Sequence, residues 1–298
     1  MDKQDKIAVL IDAENVSKKY IKLIMDEVSD YGIATYKRIY GDFTNPSVMS
    51  WQHALRDFAL TPVFQFNYTK GKNASDSALI IDAMDILYSG KVNGFCLVTS
   101  DSDFTKLAIR LREAGMIVIG MGEQKTPNSL VSACETFKFL DLLYQESLEE
   151  QAEDEKLSEV KAAKAAEPPA AIRPSDERDT KKAPEAKTKP HPVETADTPD
   201  DKADNLKDDA RLNNVPTKEE IGAEIVAIIE SRSDENGWIN QSEIGTVLPK
   251  RVPGFDPRNY KCKKLGQFIE SFDYLETRTM KNPNNKLLKV VYVKIKQQ

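Results

Sequence analysis

Two carboxylates stand two residues apart at Asp101 and Asp103, after the apolar run Phe95-Cys96-Leu97-Val98 and the hydroxyls Thr99 and Ser100. Such a run, bounded by a turn, reads as a buried strand. In a parallel α/β sheet, ligands bind just beyond the carboxyl ends of the strands. Acidic side chains this close repel each other unless a cation or a proton lies between them. A second apolar run, Ile7-Ala8-Val9-Leu10-Ile11, also ends in acid, at Asp12-Ala13-Glu14-Asn15, and Asp76 opens a helical pattern after a third strand. Brought to one edge, Asp12, Asp76, Asp101 and Asp103 form an oxygen-rich, negative pocket suited to Mg²⁺ or Mn²⁺. Such ions activate water and stabilise the leaving oxygen in phosphodiester hydrolysis. Asn15 is placed to donate to a ligand carboxylate or to substrate, and Lys70 and Lys72 to hold an incoming phosphate backbone. One Asp at a strand-to-helix junction is more often an N-cap or a turn residue. The conjunction of four is what points to chemistry.

Regular alternation supplies the elements that must position them. A helix with Ile21, Ile24, Met25 and Val28 on one face follows the first strand, with Ser17 as its N-cap. A strand over Ala34–Tyr40, one helix over Pro46–Leu60 and a strand over Val63–Phe66 come next. The helix Ser77–Tyr88, the strand of the opening motif and a fifth strand, Ile117–Met121, complete the pattern. Strands alternating with amphipathic helices predict a parallel α/β/α sandwich over residues 1–147. Residues 148–215 hold no aromatic and are rich in Ala, Lys, Glu, Asp and Pro, the composition of a disordered linker. Order returns at Thr217, with Glu220 at the capping-box position. Three helices and a β-hairpin around Asn282–Asn285 predict a winged-helix domain over residues 216–298.

The 298 residues carry a net charge of -6, unevenly spread. Between Arg258 and Lys296 about ten basic residues face about three acidic ones, and such a local basic surface counts for more in nucleic-acid binding than the global sign. Arg258, Lys261, Lys263 and Lys264 with Tyr260 interleaved are candidates for phosphate contact and base stacking; the bland alternative makes Tyr260 a core residue and the lysines a solvated face. Three scattered cysteines and two histidines argue against a disulfide framework, a zinc site or a His-based triad, and suit a reducing, cytoplasmic setting. No apolar run is long enough for a membrane helix, and the polar N-terminus lacks a signal-peptide core. Asp12-Ala13-Glu14-Asn15 does not supply the DxDx[TV] of a haloacid-dehalogenase-type phosphatase, and no P-loop is present.

The blocks Asp12-Ala13-Glu14-Asn15, Lys72 to Asp76 with Asp82 beyond, and Thr99-Ser100-Asp101-Ser102-Asp103-Phe104 together resemble the NYN domain, the LabA-like branch of the PIN-like nucleases. The resemblance covers about residues 5–142 and departs from the family at Ser75, where a small apolar residue is usual. It implies a PIN-like fold and metal-dependent endoribonuclease chemistry, with Asp12, Asp76, Asp101 and Asp103 holding Mg²⁺ or Mn²⁺ and Asn15 in support. Ser100 is counted with Lys70 and Lys72 among the residues facing RNA. Gly237-Trp238-Ile239 and Phe255-Asp256-Pro257-Arg258-Asn259-Tyr260 resemble the OST-HTH/LOTUS domain over about residues 216–296, which implies an RNA-binding winged helix. The resulting expectation is a metal-dependent endoribonuclease targeted to single-stranded or structured RNA. The alternative is a non-catalytic adaptor that binds RNA or protein with the same two domains. Binding of a protein through the C-terminal domain or linker, and self-association as a homodimer, stay open.

Overall fold

The computed structural model describes residues 4–64, 74–151, 215–282 and 285–296. The N-terminal part is a six-stranded, wholly parallel sheet in the order β3-β2-β1-β4-β5-β6. Its strands are β1 (Lys6–Asp12), β2 (Ile33–Gly41), β3 (Thr61–Phe64), β4 (Gly94–Val98), β5 (Ile117–Gly122) and β6 (Thr136–Phe139). Residues 7–11 of β1 are all fully buried, as expected of a strand covered on both faces. Ala8 and Leu10 pack on one side with Leu79 and Ala83 of the helix Ala74–Ser89 and Leu107 and Leu111 of the helix Thr105–Glu113. Ile7, Val9 and Ile11 pack on the other with Ile24 and Val28 of the helix Ile21–Tyr31, and with Trp51. The period-2 alternation of a strand thus feeds two helical layers, which makes a three-layer α/β/α sandwich.

Several boundaries differ from the pattern reading. β6 is a sixth strand, four residues long, too short to leave a periodic signal. The single helix expected over Pro46–Leu60 is two, Pro46–Met49 capped by Asn45, and Gln52–Asp57. Ser17 makes no side-chain cap, because a 3-10 turn at Lys18–Tyr20 precedes the helix. The linker expected at 148–215 lies, beyond residue 151, outside the described residues until 215.

The C-terminal part holds the helices Lys218–Arg232, Gln241–Arg251 and Leu265–Glu270, and an antiparallel sheet in the order β7-β9-β8. These strands are β7 (Ile239–Asn240), β8 (Leu275–Asn282) and β9 (Asn285–Ile295). Thr217 and Glu220 form the reciprocal capping box. Ile221, Ile225, Ile228, Ile244, Phe268 and Val293 make the core.

Charges join the two parts. The Arg258 guanidinium donates to both carboxylate oxygens of Glu27, at 2.6 and 2.9 Å, and also to Asp256. Lys138 of β6 lies 2.5 Å from Asp256 and 3.5 Å from Glu27. Beside this group the Phe137 amide donates to the Pro253 carbonyl at 2.7 Å. Glu27 and Asp256 are buried, and two cations against two anions leave no net charge to desolvate alone. Burial would raise the Asp256 carboxyl, but the Arg258 hydrogen bonds and the Lys138 charge overcome it and hold it down at about 2.

Removing one partner leaves an uncompensated buried charge, so Arg258→Ala is expected to cost about 3 kcal/mol in urea melts of the full chain. The folded-state value for Asp256 lies below its ordinary 3.8, so its contribution is complete above about pH 4 and is lost as pH falls towards 2. Acid melts should therefore show a loss about 2 kcal/mol larger in the wild type than in Asp256→Asn between pH 4 and pH 2.

Candidate active site

The strand order reverses between β1 and β4, and at such a switch point the loops leaving two neighbouring strands diverge and open a crevice. Asp12 ends β1, and the segment Thr99–Asp103 follows β4. Asp12 is only 2 % exposed, a placement that needs its oxygens satisfied. One oxygen accepts the backbone amides of Glu14 (3.0 Å) and Asn15 (3.2 Å). The other accepts the Asn15 side-chain amide (2.7 Å) and the Thr99 hydroxyl (2.9 Å). Burial raises the Asp12 pKa, and these bonds oppose the rise. Thr99 also accepts the Asp101 amide at 3.1 Å, so one hydroxyl ties the two loops together.

Asp101 caps the 3-10 turn Ser102–Phe104 by accepting the Asp103 amide at 2.9 Å. It is half-buried, while Asp103 is exposed. Asp76 lies in the first turn of the helix Ala74–Ser89. Its pKa is pushed up to about 6, first by burial and then by Asp12, Asp101, Glu14 and Asp103. The four expected aspartates therefore share one field, joined by Glu14. Glu14 is the residue that pattern reading passed over: Ser75 donates to it at 2.8 Å and the Asp42 amide at 3.2 Å. The available signal was the alternation Asp12-x-Glu14 in the turn, and the polar Ser75 that departs from the family pattern is its partner.

Other expected residues are placed differently. Ser100 is buried, and its hydroxyl accepts the Glu123 amide at 2.9 Å, which pins the turn to the end of β5. Asp82 is held by Arg38 and Tyr40 of β2. Lys70 and Lys72 lie outside the described residues. Arg258 is spent on Glu27 and Asp256. The Tyr260 hydroxyl donates to the Pro216 carbonyl, and its ring packs against Phe255 and Phe268, so core packing explains both its aromatic character and its orientation. Lys261, Lys263 and Lys264 are exposed, with Lys263 2.9 Å from Glu150.

Among the described residues no three Asp, Glu, His or Cys side chains already stand in a metal-holding arrangement. The donor set still fits a hard divalent cation in kind. It is all carboxylate oxygen, and the neighbouring carboxylates add to burial in raising the Asp76 pKa, a repulsion that a cation would relieve.

Among known families, residues 6–142 match the NYN domain and residues 217–287 match the OST-HTH/LOTUS domain. A solved structure of a protein of unknown function from Vibrio parahaemolyticus is similar at 20% identity and a TM-score of 0.40, covering 46% of this chain and 93% of that one. No curated protein matches. Among the described residues no helix is long and apolar enough to cross a membrane.

Because the folded Asp76 value lies above its ordinary 3.8, its ionisation above about pH 6 destabilises the metal-free fold, and the penalty is gone near pH 4. Asp76→Asn should raise the Tm in EDTA at pH 7.5 by about 2–4 °C, with no gain at pH 4. Mn²⁺ should raise the Tm of the wild type more than that of the variant. The chain thus carries an NYN domain of the PIN-like nuclease superfamily followed by an OST-HTH/LOTUS domain.

Proposed function

We propose that the protein is a metal-dependent endoribonuclease that hydrolyses RNA phosphodiesters at the acidic edge, with its C-terminal domain holding the RNA. The observation that carries this reading is the field around Asp76, to which Asp12, Asp101, Glu14 and Asp103 all contribute. Chain-distant carboxylates gathered where a sheet opens have no packing role that requires acid. Asp12, Asp76, Asp101 and Asp103 would hold Mg²⁺ or Mn²⁺, which when bound supplies charge for the transition state and activates water. Asn15 and Thr99 fix the orientation of Asp12 by hydrogen bonds. Thr99 and the 3-10 turn fix Asp101 relative to it. Lys70 and Lys72 are assigned to the incoming backbone, and the exposed Lys261, Lys263 and Lys264 to long-range attraction of phosphates.

One observation favours a second reading. With no three acidic side chains among the described residues already gathered around a point, a domain that keeps the fold and binds RNA without cutting it is the alternative.

Labelled single-stranded and structured RNAs, incubated with the full chain in Mn²⁺, Mg²⁺ or EDTA, separate the two. Cleavage is expected with either metal and not in EDTA. Asp101→Asn should reduce it at least about 100-fold, the scale for losing an electrostatic group at a reacting centre. Asn15→Ala acts only through the orientation of Asp12 and should cost about 10- to 100-fold. Equal RNA binding by wild type and Asp101→Asn, with cleavage by neither, would establish the adaptor.

A further inference from the structure

The pairing of Arg258 with Glu27 and the packing of Tyr260 engage within the protein the two most distinctive members of the basic run. A different surface of the C-terminal part carries cations beside exposed rings. In the three-stranded sheet, Leu275, Val293 and Ile295 turn towards the core. Residues two apart along a strand share a face, so Arg278 and Met280 of β8 and Tyr292 and Lys294 of β9 stand on the other side. Arg278 lies directly across from Tyr292, and Asn240 of β7 is the neighbour of Tyr292 on its other flank. Both edges of β9 are therefore occupied along this stretch, and the face offers side chains in place of free backbone groups.

Trp238, just before β7, closes one end of this face. The Lys294 ammonium lies 5.9 Å from its ring centroid. Together these residues line a cleft of about 930 Å³. Trp238 and Tyr292 are half-exposed, Arg278 is exposed, and Met280 is 46% exposed. The loop that sets Trp238 is organised in advance. One Asp234 oxygen accepts the amides of Asn236 (2.9 Å) and Trp238 (2.8 Å), and the Asp234 amide donates back to the Trp238 carbonyl (2.9 Å). Gly237 takes a positive φ of 80°, and a Cβ there would stand 3.3 Å from the Lys294 stem. Asp234 is thus engaged by its own loop. Glu235 stands exposed at the rim, as an acceptor for a base amino group.

We propose that this face binds unpaired nucleotides of single-stranded RNA, with bases stacked on Tyr292 and Trp238 and phosphates held by Arg278 and Lys294. Stacking platforms flanked by cations are the means by which proteins hold single strands, because every base offers a π face. The assignment rests on the RNA-directed reading given above, and it separates two contributions. The lysines at 261, 263 and 264 act at long range and are screened by salt, whereas stacking on Tyr292 and Trp238 is a short-range contact that salt affects little, and on this face only the Arg278 and Lys294 phosphate contacts carry salt dependence.

The test uses the full chain carrying Asp101→Asn, in EDTA, with a fluorescein-labelled unstructured RNA of about 12 nucleotides, within the span such sites cover. Anisotropy gives affinity as a function of salt. Tyr292→Ala is expected to weaken binding about 10- to 100-fold with the salt slope unchanged, and Tyr292→Phe, which keeps the ring, to stay within about threefold of wild type. Arg278→Ala should weaken binding and lower the slope by about one. The triple variant Lys261→Ala, Lys263→Ala, Lys264→Ala should lower the slope by about two and leave stacking intact. Stacking has its own readout: RNA should quench the half-exposed Trp238, since the other tryptophan, Trp51, is buried. Wild-type affinity in both Tyr292→Ala and Arg278→Ala would overturn the site while leaving RNA binding established elsewhere. Failure of the parent protein to bind any RNA would overturn both the site and the RNA-directed reading.

Discussion

A carboxylate buried where a parallel sheet opens is the constraint from which the candidate site follows. Asp12 sits at the end of a strand whose preceding five residues are fully buried, so its position is set by the core and cannot relax towards water. An ionised group there is tolerable only if its oxygens are satisfied. Asn15 and Thr99 do this from two loops, which is why the loop after β1 and the loop after β4 have one arrangement relative to each other. Asp101 inherits its position from Thr99, and Asp103 follows through the turn that Asp101 caps. Asp76 arrives from the opposite direction, at the start of a helix that packs on the same sheet. Its pKa is raised first by burial and then by these neighbouring charges, which nothing at the edge compensates among the groups that act on it. Geometry at this edge is therefore dictated by satisfying one buried acid, which leaves Asp76, Asp101 and Asp103 more open to solvent around it.

The same accounting, with a different outcome, governs the junction at β6. Glu27 and Lys138 from the N-terminal sandwich meet Asp256 and Arg258 from the C-terminal part as two anions and two cations. Here each charge is met by an opposite charge at hydrogen-bond distance. The Asp256 pKa falls, whereas that of Asp76 rises, although both are carboxylates withdrawn from water. Burial acts in the same direction on both, and the sign of the neighbouring charges decides the result. A neutralised cluster holds structure together; an unneutralised one is poised to bind something positive.

This contrast also explains what could be read from the sequence. The sandwich was legible because a parallel sheet demands continuous apolar runs, and Ile7–Ile11 and Phe95–Val98 are such runs. The four aspartates were legible because each directly follows a strand or opens a helix. Glu14 was not, because its part in the field depends on Ser75 and Asp42, which only the fold brings near. Arg258 was misread for the same reason. A basic run looks solvent-facing until a partner carboxylate is known, and Glu27 lies 231 residues away in the chain. Periodicity carries information about neighbours along an element, and none about which distant charge will pair. The short β6 and the split of Pro46–Leu60 into two helices escaped similarly, since each element is too brief to establish a period.

The junction bears on how the second domain is held against the first. A flexible tether raises the local concentration of a bound RNA by an amount that depends on linker length and composition. A buried ion cluster joined to a backbone hydrogen bond at Phe137 works differently, because it fixes one element against another. Orientation is then set by contact. The Asp-Pro-Arg of residues 256–258 then has an intramolecular purpose. Asp256 caps the 3-10 turn through the Arg258 amide, Pro257 starts it, and Arg258 projects from it to Glu27. Three consecutive residues build the connector.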